Sequence, residues 1–324
     1  MGSAGRRCVA KLVMACLAIV LGCDRKSPAS AEQPASAPAA APKPGRVLFI
    51  GIDGCRFDAL EKANAPHLDA LRAAGCYADD TLIQGERFHS SDTVSGPGWS
   101  SLLTGVWADK HGIVFNRFLT PRFDKYPMFF RRLREADPKA ETAAFSTWPP
   151  ISEEIVTDAD LNLKFTTDQH YTLGDKQAAE ATIDSLRRGD PKALFCYFGQ
   201  VDEHGHQHGF SPDVPEYIAA IERVDALVGT VVDALRRRKD YAAENWLVLV
   251  STDHGGVGTD HKNGRAEPKI MRSFTIVSGP AAKQGKLQEQ TYIVDVPVTA
   301  LSHLGVTIKP EWGLDGKAIG LKGR

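Results

Sequence analysis

Short apolar runs punctuate the chain at residues 46–52, 142–148, 193–198, 247–252 and 274–277. Each is continuous rather than alternating, the pattern of a strand buried on both faces in a parallel sheet. Helical periodicity lies between them. Residues 65–75 put Leu68 and Leu71 on one face and end at Gly75, a natural helix stop. Residues 214–238 carry Ile218, Ile221, Val224, Val228, Val231 and Leu235 at spacings of three or four, the apolar stripe of a long amphipathic helix. Pro97 suits the first turn of a further helix that runs to Thr104 and closes at Gly105. Buried strands alternating with helices predict an α/β fold, a doubly wound, mostly parallel central sheet with helices on both faces. Residues 117–141 and 149–175 break the pattern with prolines and aromatics and read as irregular insertions at the rim of a site. No internal repeat is visible.

The first residues follow another logic. Arg6, Arg7 and Lys11 precede an apolar run over residues 12–21, too short for a comfortable membrane span. The run ends in Val20-Leu21-Gly22-Cys23, which resembles a bacterial lipobox and implies cleavage before Cys23 and lipidation of its sulfur. A plain secretory signal with an incidental cysteine is the alternative. Asp24 resembles an inner-membrane retention signal. The expectation is therefore a lipoprotein-type signal peptide over 1–22, a protein held at a membrane of the bacterial periplasm by an N-terminal lipid, and an Ala/Pro-rich tether over 23–45 that cannot bury enough apolar area to fold. Residues 46–324 make the catalytic domain.

Composition narrows the function classes. With 324 residues, 43% hydrophobic and 24% charged, the chain can bury a large core. A formal net charge of -1 gives no argument for a nucleic-acid partner, and no protein partner can be read from it. After Cys23 only Cys55, Cys76 and Cys196 remain, so at most one intrachain disulfide is possible among them, with Cys55–Cys76 the pair to test first.

In a doubly wound sheet ligands bind outside the carboxyl ends of the strands. Asp53 follows the first run, Asp202 the third, and Asp253-His254 the fourth. Several carboxylates in one crevice are costly to bury without compensation, and metal cations supply it most simply. In Asp202-Glu203-His204-Gly205-His206-Gln207-His208-Gly209 the glycines are expected to let the chain turn so that Asp202 and His206 meet one ion, leaving His204 and His208 outside it. A solvated His-rich loop is the competing reading. Ser95 stands at the start of the 97–104 helix, where free backbone N–H groups favour an oxyanion. It is either a nucleophile or a plain N-cap. Thr93 is a less well spaced rival. Trp99 and Phe115 are either stacking surfaces for an aromatic substrate group or core.

Together these residues resemble the alkaline phosphatase superfamily, near its nucleotide pyrophosphatase/phosphodiesterase and sulfatase branches. The resemblance spans residues 46–280 and rests on Asp53, Ser95 with Pro97 and Thr104-Gly105, Asp202 with His206, Asp253-His254-Gly255, and His261. It implies an alkaline phosphatase-like α/β/α sandwich and two divalent ions, zinc by ligand type, with manganese or iron as alternatives. One ion would be held by Asp53, Asp253 and His254, the other by Asp202, His206 and His261, with Ser95 Oγ reaching an ion as alkoxide. His303 is the fallback for the last ligand. The implied reaction is hydrolysis of a phosphate ester, a phosphodiester or nucleotide pyrophosphate, through a covalent phospho-Ser95 intermediate.

Departures from the family pattern limit the substrate. Gly98 and Trp99 stand where modified-Cys sulfatases need Ser-Arg, and Gly98 where the phosphodiesterase branch often carries Asn. Substrate contacts then fall to Asn116 or to backbone N–H groups such as that of Gly96. No arginine lies in the nucleophile helix to clamp a dianionic monoester, which favours diesters, although Arg56, Lys262 or Arg265 could bring charge from another loop. A phosphomonoesterase, a sulfatase, a phosphoryl transferase and a non-catalytic metal-binding lipoprotein are the alternatives.

Overall fold

The computed structural model describes residues 45–165 and 171–323. The signal-like segment, Cys23 and the tether up to residue 44 lie outside those residues. Among the described residues no helix is long and apolar enough to cross a membrane.

The strands are β1 (Gly45–Ile52), β2 (Gly75–Leu82), β3 (Thr142–Ser146), β4 (Leu161–Lys164), β5 (Ala193–Phe198), β6 (Asn245–Ser251), β7 (Arg272–Ser278), β8 (Gly285–Lys286) and β9 (Thr291–Tyr292). The helices are α1 (Phe57–Lys62), α2 (Pro66–Ala73), α3 (Ser95–Thr104), α4 (Ala108–His111), α5 (Phe129–Ala136), α6 (Thr172–Arg188), α7 (Gln200–His208), α8 (Pro215–Arg236), α9 (Pro268–Met271) and α10 (Asp295–His303).

One sheet runs in the order β4-β3-β5-β1-β6-β7-β2-β8, with β9 also on β2. It is parallel from β4 to β6, and β7 is antiparallel to both its neighbours. Along β1 successive side chains alternate between two cores: Leu48, Ile50 and Ile52 pack with α2 and α8, Val47 and Phe49 with α3 and α10. The register sets the height of the site. Ile52 pairs with Phe198, Gly51 pairs with Ser251, and the Asp53 N–H continues the ladder to Phe198 O at 2.9 Å. The residues just past three neighbouring strands thus emerge side by side.

Four expectations change. Gly75 does not end a helix but opens β2, because a Cβ there would lie 2.1 Å from Val277 O of the adjoining strand. The region expected to be irregular holds α5, β4 and the start of α6. α5 is easily missed because it is only eight residues long, although Phe129, Phe130 and Leu133 bury one clear face, and α6 because its buried face is built mostly of small and polar residues, Gly174, Asp175, Ala178, Ala179 and Thr182. The stripe of α8 centres on Tyr217 rather than on half-buried Ile218. Finally, Cys55, Cys76 and Cys196 are all buried free thiols. Cys55 and Cys76 belong to cores on opposite faces of the sheet, so the sheet itself keeps them from bonding.

Candidate active site

The structure brings Asp53, Asp253 and His254 together as one group of possible ligands, and Asp202, His206 and His261 as another, the ligand atoms of each group lying within 4.8 Å of one another. In the first group, Asp53 Oδ2 accepts hydrogen bonds from Trp99 Nε1 at 2.8 Å and from the Tyr197 hydroxyl at 2.6 Å. These hold the carboxylate with Oδ1 facing inward. Asp253 Oδ1 accepts from the Gly54 N–H at 3.3 Å. His254 Nε2 lies 3.2 Å from Asp253 Oδ2, 3.6 Å from Asp53 Oδ1 and 3.3 Å from Ser95 Oγ.

In the second group the chain does not turn at Asp202-Glu203-His204-Gly205-His206 as the glycines suggested. It is helical, and the i, i+4 spacing on α7 sets Asp202 beside His206, with Oδ2 and Nε2 3.3 Å apart. Gly205 has a packing role instead, because a Cβ there would lie 2.2 Å from the ring of Phe210. That ring meets His206 and His261 edge-on. Asp175 caps the start of α7 by accepting from the N–H groups of Gly199 and Gln200. His261 Nε2 stands 3.0 Å from His206 Nε2 and 3.6 Å from Asp202 Oδ1.

All three imidazoles are oriented alike. The Nδ1 of His254, His206 and His261 faces the carbonyl oxygen of Gly255, Thr259 and Thr93 at 3.0, 2.9 and 2.8 Å respectively. An Nδ1–H donated to a carbonyl leaves Nε2 as the inward lone pair, the tautomer a metal ligand needs. Two such lone pairs 3.0 Å apart repel unless a proton or a cation sits between them.

The carboxylates make the same point. Asp53 Oδ1, Asp202 Oδ1 and Asp253 Oδ2 are buried oxygens without a hydrogen-bond donor. Burying one uncompensated carboxylate costs on the order of several kcal/mol, and here three converge. Burial first, and the Asp202 charge second, push Asp53 up to about 7. Burial and then the charges of Asp53 and Asp202 raise Asp253 well above the usual carboxylate range. The hydrogen bond to Asp202 raises His206 to about 9. Burial, then the neighbouring His254 charge, lowers His261 to about 4. Asp202 is lowered, its burial outweighed by the bond from His206 and the charges of His261 and His254. Carboxylates forced to hold protons beside imidazoles aimed at them form a donor set that divalent cations fit.

Ser95 is the first residue of α3, two residues ahead of the expected start, and is almost fully buried. Gly98 faces Asp253, and a Cβ there would come within 2.8 Å of the Asp253 Cβ, so no larger side chain fits at this position. Gly96 N–H donates to Asn116 Oδ1 at 2.6 Å. Thr93 is a clamp rather than a nucleophile: its hydroxyl donates to His261 O and accepts from Gly264 N–H at 2.9 Å. Asp92 Oδ1 accepts from Asn263 N–H, and Arg265 donates to the carbonyls of Ser90 and Ser91. With the His261–Thr93 bond, six hydrogen bonds zip residues 90–93 to residues 261–265.

Other candidates fall outside the site. His303 bonds Asn245 O at 2.7 Å at the amino end of β6, about 20 Å of strand from Asp253. His111 is buried, accepting from Ile113 N–H and donating to Ser101 Oγ at 3.1 Å. Trp99 is core with a polar task, while Phe115 is 52% exposed. Trp99 and Tyr197 are the functional residues that sequence reasoning missed in their tie to Asp53. A signal existed for each. Gly51 interrupts an apolar strand, and a Cβ there would lie 2.5 Å from the Trp99 ring; a tyrosine in a fully buried strand needs a partner for its hydroxyl. Tyr197→Phe removes one of the two donors that orient Asp53. It is expected to weaken divalent-ion affinity about tenfold, read by competition with a chromogenic chelator; unchanged affinity would count against the orienting role.

Above Ser95 lies a cavity of about 250 Å³ walled by Asp53, Asn116, Trp148, Tyr171, Asp202, Glu203, His261 and Lys262 among others.

The family model and the sequence relatives agree on one family. The model of the type I phosphodiesterase / nucleotide pyrophosphatase family matches residues 47–273. An uncharacterized pyrophosphatase/phosphodiesterase of Schizosaccharomyces pombe is 24% identical over 233 residues, 64% of this chain and 44% of that protein. Human ectonucleotide pyrophosphatase/phosphodiesterase family member 5 is 24% identical over 234 residues, 66% of this chain and 45% of the relative. The chain thus spans about half the length of the curated relatives it matches. Among solved structures, murine ectonucleotide pyrophosphatase/phosphodiesterase 5, an inactive variant in complex with AMP, superposes with a TM-score of 0.64 at 17% identity, over 82% of this chain and 96% of that one. A 2-O GAG sulfatase superposes with a TM-score of 0.67 at 13% identity, over 86% of this chain and 73% of the other. At such identities the likeness is one of fold.

Proposed function

The chain belongs to the type I phosphodiesterase / nucleotide pyrophosphatase family, within the alkaline phosphatase superfamily, and from that premise we propose that it is a metal-dependent hydrolase of phosphodiesters or nucleotide pyrophosphates acting through a covalent phospho-Ser95 intermediate. The observation that carries this reading is the gathering of three donorless carboxylate oxygens with three imidazoles into two ligand groups, one of which reaches the buried serine at the head of α3 through His254 Nε2, 3.3 Å from Ser95 Oγ.

Asp53, Asp253 and His254 would hold one divalent ion and Asp202, His206 and His261 a second, zinc by ligand type. When bound, such ions lower the pKa of an attacking hydroxyl and neutralise charge on the phosphoryl and leaving oxygens. Ser95 Oγ attacks phosphorus, losing its proton to solvent. The Oγ–P bond forms as the bond from phosphorus to the leaving oxygen breaks, and that oxygen keeps the electron pair. Water then attacks the phospho-Ser95 and restores the hydroxyl. The amino end of α3 offers its dipole to the phosphoryl oxygens. Because the Gly96 N–H occupies Asn116 Oδ1, the Nδ2 of Asn116 is left as the donor toward substrate. Trp99 and Tyr197 keep Asp53 in one orientation throughout.

The same reading makes residues 46–324 one catalytic domain, exported and held at a periplasmic membrane by lipid on Cys23, on the strength of the charged and apolar pattern of residues 6–23.

The test is turnover by the zinc-loaded protein of an aryl phosphodiester, an aryl phosphate monoester and an aryl sulfate sharing one leaving group. The diester is expected to be hydrolysed fastest. Sulfate turnover above both phosphates would overturn the assignment.

A further inference from the structure

The sequence offers Arg56, Lys262 and Arg265 as cations near the nucleophile, and their fates differ. The Arg56 guanidinium is buried, paired with Asp58 and bonded to the carbonyls of Phe210 and Gly256. Arg265 is spent on the carbonyls of Ser90 and Ser91. Lys262 lines the cavity above Ser95, and among the described residues its ammonium makes no hydrogen bond or ion pair, though its charge is felt by the nearby Asp260 carboxylate. Its backbone N–H, by contrast, is fixed to Asp260 Oδ1 at 3.1 Å, next to the anchored His261. The side chain is a free cation on a fixed stem. Besides the ligand carboxylates Asp53 and Asp202, one opposing charge shares the wall: Glu203, whose Oε1 accepts from Gln207 Nε2 at 2.7 Å on the outer side of α7.

Charge counting gives this cation a task. With Ser95 still protonated, two divalent ions would bring four positive charges against the three carboxylates of Asp53, Asp202 and Asp253, leaving one in excess. That excess matches the single negative charge of a simple diester. We propose that Lys262 is a specificity-determining residue of this site, its ammonium taking the negative charge that a substrate carries beyond the first, with Glu203 as the counterweight that limits the preference. Lys262 then improves the binding of an ester with a second anionic oxygen beside the attacked phosphorus, without by itself making that ester the fastest substrate. The source of that oxygen is either a terminal dianionic phosphate or the adjoining phosphate of a pyrophosphate. The inference rests on the proposed metal-dependent site but not on turnover.

Binding of phenylphosphonate, a dianion at mildly alkaline pH, and of its monoanionic methyl ester to the zinc-loaded full chain tests it by calorimetry without hydrolysis. Lys262→Gln is expected to weaken phenylphosphonate about tenfold relative to the methyl ester, the worth of one charge-assisted contact. Lys262→Arg should retain the wild-type ratio. Glu203→Gln should shift the ratio the opposite way by about threefold, the size of a partly screened surface charge. Opposite signs from two neutralising changes cannot come from a general loosening of the fold. A second arm compares KM for diadenosine triphosphate with KM for the p-nitrophenyl ester of thymidine monophosphate. A Lys262→Gln shift confined to the phosphonates assigns the second charge to the attacked phosphate, and a shift confined to the nucleotides assigns it to the adjoining one. Both ratios staying within twofold of wild type would overturn the proposal. If no ester is hydrolysed yet the phosphonate ratio moves as stated, the hydrolase reading fails and the charge-reading role of Lys262 stands.

Discussion

Ser95→Ala is expected to lower kcat for the preferred ester by a factor on the order of a thousand or more, since a nucleophile has no substitute in a two-step displacement. Ion binding should survive. Among the described residues the Ser95 hydroxyl makes one hydrogen-bond contact, to His254 Nε2 at 3.3 Å, and no residue of either ligand group depends on it for orientation. Loss of activity with both ions retained, counted by metal analysis after gel filtration, is therefore the signature of a nucleophile. A merely structural serine at the start of a helix would cost stability of about 1 kcal/mol and leave turnover near wild type. Activity within tenfold of wild type would remove Ser95 from the mechanism and reopen the case for a binding protein.

The second large effect is a coupling of ion binding to protons. In the metal-free protein His206 is pushed up to about 9 by its bond with Asp202, and Asp53 up to about 7 by burial. Both groups must be free of protons to ligate. Near neutral pH His206 holds a proton and Asp53 holds one about half the time, so these two alone release between one and two protons, and Asp253, raised well above the usual carboxylate range, adds to the release. The sign follows: apparent affinity rises with pH, by about ten- to a hundredfold per unit around neutrality, and the contribution of His206 and Asp53 levels off about one unit above the His206 value of about 9. Calorimetry of zinc binding in buffers of different ionisation heat measures the release directly. An enthalpy independent of buffer at neutral pH would mean that the ion does not bind where these two residues meet.

Most of the framework was legible because strand burial is written in continuous apolar runs. Once the ends of the runs at 46–52, 193–198 and 247–252 were located, their register had few alternatives, and Asp53, Asp202 and Asp253 came together. What escaped has physical reasons. β2 mixes Asp79 and Asp80 into a strand near the sheet edge, where half of each side is wet. The helix over Gln200–His208 was read as a turn because its two glycines suggested one. Yet Gly205 answers to the ring of Phe210, a contact distant from any local rule. Gly98 looked like a missing substrate donor, but the space beside it belongs to Asp253. The ties of Trp99 and Tyr197 to Asp53 were invisible for a simpler reason, that polar tips on core residues leave no periodic trace.

His261 follows His254 by only seven residues, yet its ring is anchored to the carbonyl of Thr93, two residues before Ser95. The zipper that anchors it also fastens the loop from which Ser95 emerges. Cargo and carriage are thus one body: whatever pulls on the imidazole tugs the serine loop, and whatever settles the imidazole steadies it. A displacement of His261 would therefore reach the loop from which Ser95 emerges through those shared hydrogen bonds.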